Sequence, residues 1–251
     1  MELKGNKILI TGGATGIGLE LARVFLSLGN EVAICGRRKD RLEKALKELP
    51  GLKIIVCDVS DPKSRKNLFD WTSTNFKDIN ILVNNAGVQR DIDFTNGIDE
   101  YLAGESEISI NLEAPVVLSG MFIPLLKGKK GAAIVNVTSG LGFVPAAKMP
   151  VYSATKAALH AFSMALRYQL LKTDIKVFEA IPPALYTELN KDGRAKRGRM
   201  SFDSSVPGFV SAVIEGLQNN IFEIGFGMSE KFKKASRDDL DKSFQFMNSR
   251  M

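Results

Sequence analysis

Tyr152 and Lys156 stand four residues apart in the run Tyr-Ser-Ala-Thr-Lys. On a helix, residues i and i+4 share one face, so the lysine charge favours the phenolate of its neighbour. A free tyrosine, with a pKa near 10, exchanges protons poorly at neutral pH. The pair therefore reads as an acid and base made competent by a cation. The same spacing recurs at Tyr168 and Lys172, and context separates the two. Tyr152 opens its helix 13 residues after Ser139, which itself follows an apolar run. Ser139 can donate to an oxygen on which negative charge builds. Tyr168 lies about 24 Å further along the helix at 1.5 Å per residue and points nearly the opposite way, so it is expected in the core or in an interface.

A second group of residues suits an anion. The first apolar run leads into Thr11-Gly12-Gly13-Ala14-Thr15-Gly16-Ile17-Gly18 and then into an apolar helix. Glycines let the backbone approach a phosphate, and a helix start points free N–H groups at it. The Gly-x3-Gly-x-Gly spacing departs from the commoner Gly-x-Gly-x-x-Gly fingerprint, but its place after the first strand still indicates a dinucleotide. An acidic residue about 20 positions later normally grips the ribose hydroxyls. Here that position is Gly36, followed by Arg37 and Arg38. A carboxylate would repel a ribose phosphate, whereas arginine forks would hold it, so the expected cofactor is NADP(H). Asp58 and the run Asn84-Asn85-Ala86-Gly87 fall after later strands, at the carboxyl ends where such sheets bind ligands.

These groups need a sheet to gather them. Candidate strands are Lys7–Ile10, Val32–Cys35, Lys53–Cys57, Ile79–Val83, Ala132–Val137, Lys176–Ile181 and Ile221–Gly225. Helical patterns lie between them at Ile17–Leu28, Asp40–Leu49, Lys63–Phe76, Glu105–Leu126, Tyr152–Lys172 and Val206–Asn219. Several strands are continuously apolar, as when helices cover both faces. The alternation predicts an α/β, Rossmann-like fold: a doubly wound parallel sheet of about seven strands flanked by helices, as one domain over 1–251. The irregular stretch 187–207 reads as a lid. The tail after Ser229 reads as polar and helical, with Phe244 and Phe246 placed to dock on the body or on a partner.

Composition narrows the partners. The 251 residues are 45% hydrophobic and 25% charged, the balance of a globular chain with a sizeable core. The polar start leads to an apolar run too short for a signal core, and no later segment is expected to reach bilayer-crossing length. The cytoplasm is the default location. Net charge is +6, which can attract polyanions. The basic cluster Lys191, Arg194, Lys196, Arg197 and Arg199 contains no aromatic residue to stack on bases, so neither a nucleic-acid nor a membrane partner is expected. Cys35 and Cys57 should be buried reduced thiols at the ends of neighbouring strands. His160, the single histidine, reads as packing or solvated surface. No metal site is expected, and catalysis must do without histidine.

With these motifs in hand, the chain resembles the short-chain dehydrogenase/reductase family over nearly its whole length. The resemblance implies cofactor contacts from Gly12, Ala14, Thr15, Gly16, Ile17 and Gly18 in the turn. Further contacts are implied from Arg37, Arg38, Asp58, Val59, Asn85, Ala86, Gly87, Tyr152, Lys156, Pro182 and Thr187. It implies Ser139, Tyr152, Lys156 and Asn111 as the catalytic set, with Asn111 bending a helix and holding a water beneath the lysine. Pro182-Pro183-Ala184-Leu185-Tyr186-Thr187 replaces the family's Pro-Gly-x-x-x-Thr, and Pro183 stiffens that loop. This variant and the Phe-x-x-Met-Asn ending are similar to a DltE-like branch. The implied activity is hydride transfer between NADP(H) and a small carbonyl or alcohol, in a homo-oligomer built on the long helices. The rival is a non-catalytic NADP(H)-binding redox sensor.

Overall fold

The computed structural model of the chain describes residues 1–189, 193 and 204–249. Its strands are β1 (Lys7–Thr11), β2 (Glu31–Gly36), β3 (Lys53–Val56), β4 (Ile81–Asn84), β5 (Ala133–Val137), β6 (Lys176–Ile181) and β7 (Glu223–Gly225). They form one parallel sheet in the order β3-β2-β1-β4-β5-β6-β7. The helices are α1 (Gly16–Ser27), α2 (Lys39–Glu48), α3 (Pro62–Asn75), a single turn α4 (Asp99–Leu102), α5 (Ala114–Leu126) and α6 (Pro150–Gln169). They continue as α7 (Val206–Gln218), α8 (Met228–Asp238) and α9 (Leu240–Asn248). The doubly wound α/β reading holds, with boundaries moved by a few residues.

Alternation along each strand supplies both faces. Ile8 and Ile10 pack with Phe25, Leu42 and Phe209 on one side. Leu9, Leu82 and Ile134 pack with Leu68, Phe122 and Leu166 on the other. Complete burial of both layers is why the strands read as continuous apolar runs. The helices begin where local chemistry lets them: Asp61 caps α3 by accepting from the N–H groups of Lys63 and Ser64 at 3.3 and 2.9 Å. Pro62 and Pro150 occupy first helical positions, where a missing N–H costs nothing.

Two readings need correction, and exposure bears on two others. The helix expected from Glu105 is broken by a π-helical turn, Ser109–Glu113, before α5 starts. The stretch Ser109–Leu126 spans 18 residues with mean hydropathy 1.5, so one segment does reach bilayer-crossing length and composition. In this fold its residues Leu118, Phe122 and Leu126 are buried against the sheet. Tyr168 is 77% exposed, which removes the core alternative for it and leaves the interface one. Phe244 and Phe246 are 41% and 47% exposed, and Asn248 also ties the tail to the body, as described below. Residues 190–192 and 194–203, which include the basic cluster and most of the proposed lid, lie outside the described residues.

Candidate active site

The chain leaves β3 and returns to pair β4 with β1, so the loops after β1 and β4 diverge across the sheet's carboxyl edge. A cleft of about 440 Å³ opens there. The two loops are tied together beneath it. Thr11 Oγ1 accepts from the N–H groups of Asn85 and Ala86, each at 3.0 Å. Asn85 Nδ2 donates to the carbonyls of Thr11 and Gly12 at 2.9 and 3.0 Å. Gly12 has φ +64°, and a Cβ there would sit 2.8 Å from Ala86 Cα. At Gly18 it would sit 2.5 Å from Asn85 Nδ2. These two glycines therefore permit loop-to-loop packing as well as an approach to a ligand.

Almost every predicted contact lines this cleft. Gly12, Ala14, Thr15, Gly16 and Ile17 form one wall at the start of α1. Arg37, Arg38, Asp58 and Val59 form one end, while Asn85, Ala86 and Gly87 form the floor. Tyr152, Lys156, Pro182 and Thr187 complete the lining. Gly18 is the exception: it lies behind the wall, against Asn85.

Both arginines are engaged. Arg37 pairs with Glu105, and Arg38 lies 3.0 Å from Glu188, which also meets Arg41 at 3.3 Å. Sequence reasoning missed Glu105 and Glu188, because both lie far along the chain. Asp58 is partly desolvated, which raises its pKa, but the Ser60 hydroxyl and N–H and the Arg37 charge hold it below the ordinary value.

At the other end Tyr152 is buried among Ala146, Met149 and Leu141. Lys156 Nζ lies 5.6 Å from its ring centroid and donates to the Val137 carbonyl at 2.9 Å. Burial lowers Lys156 to about 8, against the opposing charge of Glu179. Ser139 is buried; it caps the turn Gly140–Gly142, its Oγ accepting from Leu141 N–H at 3.2 Å. It directly follows Val137 and Thr138, which line the cleft.

Asn111 stands behind the lining. Its amide accepts from Val88 N–H at 2.9 Å and donates to the Val88 carbonyl at 2.8 Å and to Thr155 Oγ1 at 3.3 Å. The π-helical turn thus bridges the loop after β4 to the first turns of α6. Glu107, one turn earlier and fully buried, accepts from Arg90 N–H at 3.1 Å. Burial pushes it up to about 7, and its second oxygen has no hydrogen-bond partner among the described residues. Gln89 and Arg90, held by this bracket, line the cleft too. The only sequence signal for Glu107 was its place four residues before Asn111.

Asn248 ties the tail to the body. It donates to the Pro145 carbonyl at 3.1 Å and accepts from Ala147 N–H, clamping the loop that precedes Tyr152. His160, read as packing or surface, is instead hydrogen-bonded to Glu179. Cys35 and Cys57 are buried free thiols. No group of three or more His, Cys, Asp or Glu side chains among the described residues could hold a metal ion.

A parallel sheet whose strand order reverses at a glycine-walled cleft, with a tyrosine and a lysine at the cleft's far end, is the architecture of doubly wound, Rossmann-like α/β proteins. Residues 6–198 match the short chain dehydrogenase family model, and the chain belongs to the short-chain dehydrogenase/reductase family of oxidoreductases. It is 46% identical over 248 residues, 99% of this chain and 98% of the relative, to the "Uncharacterized oxidoreductase DltE" of Bacillus subtilis. A short-chain dehydrogenase from Sphingobium yanoikuyae, solved with NADPH, matches with TM-score 0.77 and 26% identity over 98% of this chain and 96% of that one. A family structure from Burkholderia phymatum in complex with NAD has the same fold, with TM-score 0.84 and 18% identity over 100% and 98% of the two chains.

Proposed function

We propose that the chain is an NADP(H)-dependent reductase or dehydrogenase that interconverts a small-molecule carbonyl and an alcohol, with Tyr152 as general acid and base. One observation carries this reading: Tyr152 and Lys156 line the same cleft as the glycine turn, with the ammonium 5.6 Å from the phenol ring. Gly12, Ala14–Ile17, Asp58, Val59, Asn85–Gly87, Pro182 and Thr187 would hold the dinucleotide. A cradle too tight for a Cβ at Gly12, opening at a helix start, fits a phosphate-bearing group.

When bound, the nicotinamide supplies or accepts hydride. The chain's own residues do the rest. Lys156 stabilises the Tyr152 phenolate and lowers the cost of moving its proton. Ser139 donates to the substrate oxygen, and Asn111 ties the loop after β4 to α6. Arg37 and Arg38 favour the ribose phosphate of NADP(H), and the NADPH-bound relative supports that choice. A non-catalytic sensor would have no use for the proton-handling set of Ser139, Tyr152, Lys156 and Asn111, so it is the weaker reading.

Tyr152→Phe tests the assignment. Turnover of a carbonyl panel with NADPH should fall by about 10²–10⁴, while NADPH affinity by fluorescence should weaken by no more than about tenfold, since at most one hydroxyl's hydrogen bond is lost. Undiminished turnover would remove Tyr152 as the acid. The outer face of α6 exposes Met164, Tyr168 and Leu171 at 47%, 77% and 66%, with Leu171 just past the helix end. This apolar strip supports a homo-oligomer, and light scattering giving a monomer mass would reject it.

A further inference from the structure

Three side chains with no part in this reaction meet behind its lysine. Glu179, on β6, is fully buried. One carboxylate oxygen accepts from Thr138 Oγ1 at 2.7 Å, and the other lies 2.8 Å from His160 Nδ1. His160 stands one turn beyond Lys156 on α6, half-buried, with its ring on Phe143 at 4.5 Å between centroids. A carboxylate wholly out of water is costly unless its oxygens are satisfied. Here both are.

The placement ties the pair to the proposed active site. Val137, Thr138 and Ser139 are consecutive residues at the end of β5. Lys156 holds the Val137 carbonyl, and Glu179 holds the Thr138 hydroxyl. The next residue is the serine assigned to the substrate oxygen. Glu179 also acts by charge. Its hydrogen bond raises His160 above the ordinary value, and its field opposes the burial that lowers Lys156. Other charged groups face His160 as well. Glu223 on β7 raises it, and Arg167, further along α6 and 3.6 Å from Glu223, lowers it. Lys233 of α8 donates to the Glu223 carbonyl.

We propose that Glu179 and His160 are a positioning pair for the Tyr152–Lys156 site. The carboxylate anchors the strand end that carries Ser139 and supplies counter-charge to Lys156. The proton on His160 sets how much of that charge the lysine feels. With His160 protonated, Glu179 is largely neutralised. As His160 loses its proton, the field on Lys156 grows and holds the ammonium into more alkaline solution. The two titrations are therefore linked. The role of Lys156 in this scheme rests on the function proposed above, but the linkage itself does not.

The single histidine makes the test direct, because histidine NMR signals report His160 alone. Lysine 13Cε signals report Lys156, identified by its loss in Lys156→Arg. Glu179→Gln keeps the shape and the acceptor for Thr138 while removing the charge. In it the His160 and Lys156 midpoints should both fall, because the carboxylate favours the charged form of each. In His160→Gln the Lys156 midpoint should rise, because the carboxylate is no longer neutralised. Opposite movement in the two variants is a signature that simple loosening of the fold would not produce. An unmoved His160 midpoint in Glu179→Gln would overturn the pairing. Lys156 midpoints moving in the same direction in both variants would overturn the linkage. In turnover assays the alkaline limb of kcat should follow the Lys156 midpoint with the KM for NADPH unchanged, and a limb that stays put overturns the positioning role. Absence of turnover in every carbonyl assay would sink the proposed function while leaving the NMR linkage standing.

Discussion

Gly36→Asp places a carboxylate where the proposed cofactor choice is made. Gly36 ends β2, lines the cleft beside Arg37, and is not among the glycines with positive φ. A Cβ built there meets nothing closer than Leu42 Cδ2 at 3.9 Å, an ordinary contact, so the variant should fold. Were the carboxylate to stand about 6 Å from a bound ribose phosphate, at an effective dielectric of about 40, it would repel each unit charge by about 1.4 kcal/mol. The phosphate carries about 1.5–2 charges, giving about 2–3 kcal/mol. That is roughly a 30- to 150-fold weaker Kd for NADPH. The new carboxylate also competes for Arg37 and Arg38, as Glu105 and Glu188 already do. NADH lacks the phosphate and should bind as well or better. Fluorescence titration of both cofactors is the assay, at one fixed ionic strength because screening sets in near 8 Å at 0.15 M. An unchanged ratio of the two affinities, or one shifted toward NADPH, would refute the electrostatic argument.

Two further outcomes follow from buried ionisable groups. Lys156 is lowered to about 8, so carbonyl reduction should decline as pH rises through that value and the ammonium disappears; a pH–rate profile flat to pH 10 contradicts this. Glu107 is raised to about 7 from an ordinary 4.5, so the folded state holds its proton more tightly than the unfolded state. Stability is then lost as pH climbs from about 4.5 to 7, by at most roughly 3 kcal/mol. Glu107→Gln keeps an acceptor for Arg90 N–H and should raise Tm above pH 7 but not near pH 4.5. A pH-independent difference in Tm would show that Glu107 is not the cause.

Local pattern carried much of this molecule. The apolar runs at Ile8–Ile10 and Ile81–Val83, separated by helical periodicity, imply parallel strands buried on both sides, because hydrogen-bonding geometry and burial act over a few residues. The glycine turn and the spacing of Ser139, Tyr152 and Lys156 are similarly short-range, since strand ends and one helical turn determine them. A bend at Asn111 was implied only by family resemblance, and its π-helical form was not legible at all. Apolar periodicity continues across the turn, whereas its backbone is set by the bond of Asn111 to Val88, 23 residues away.

What sequence alone determined, then, is a set of candidate groups for the proposed chemistry and the edge of the sheet that collects them. Tertiary structure decided their neighbours. Arg37 meets Glu105, Glu107 holds Arg90, Asn248 clamps Pro145 and Ala147, and Glu179 joins Thr138 to His160. Each contact joins different elements, and no periodicity records how two elements pack. The charge a buried group feels depends on that packing, so the pKa values of Lys156, His160 and Glu107 became readable only once the sheet and helices were in place.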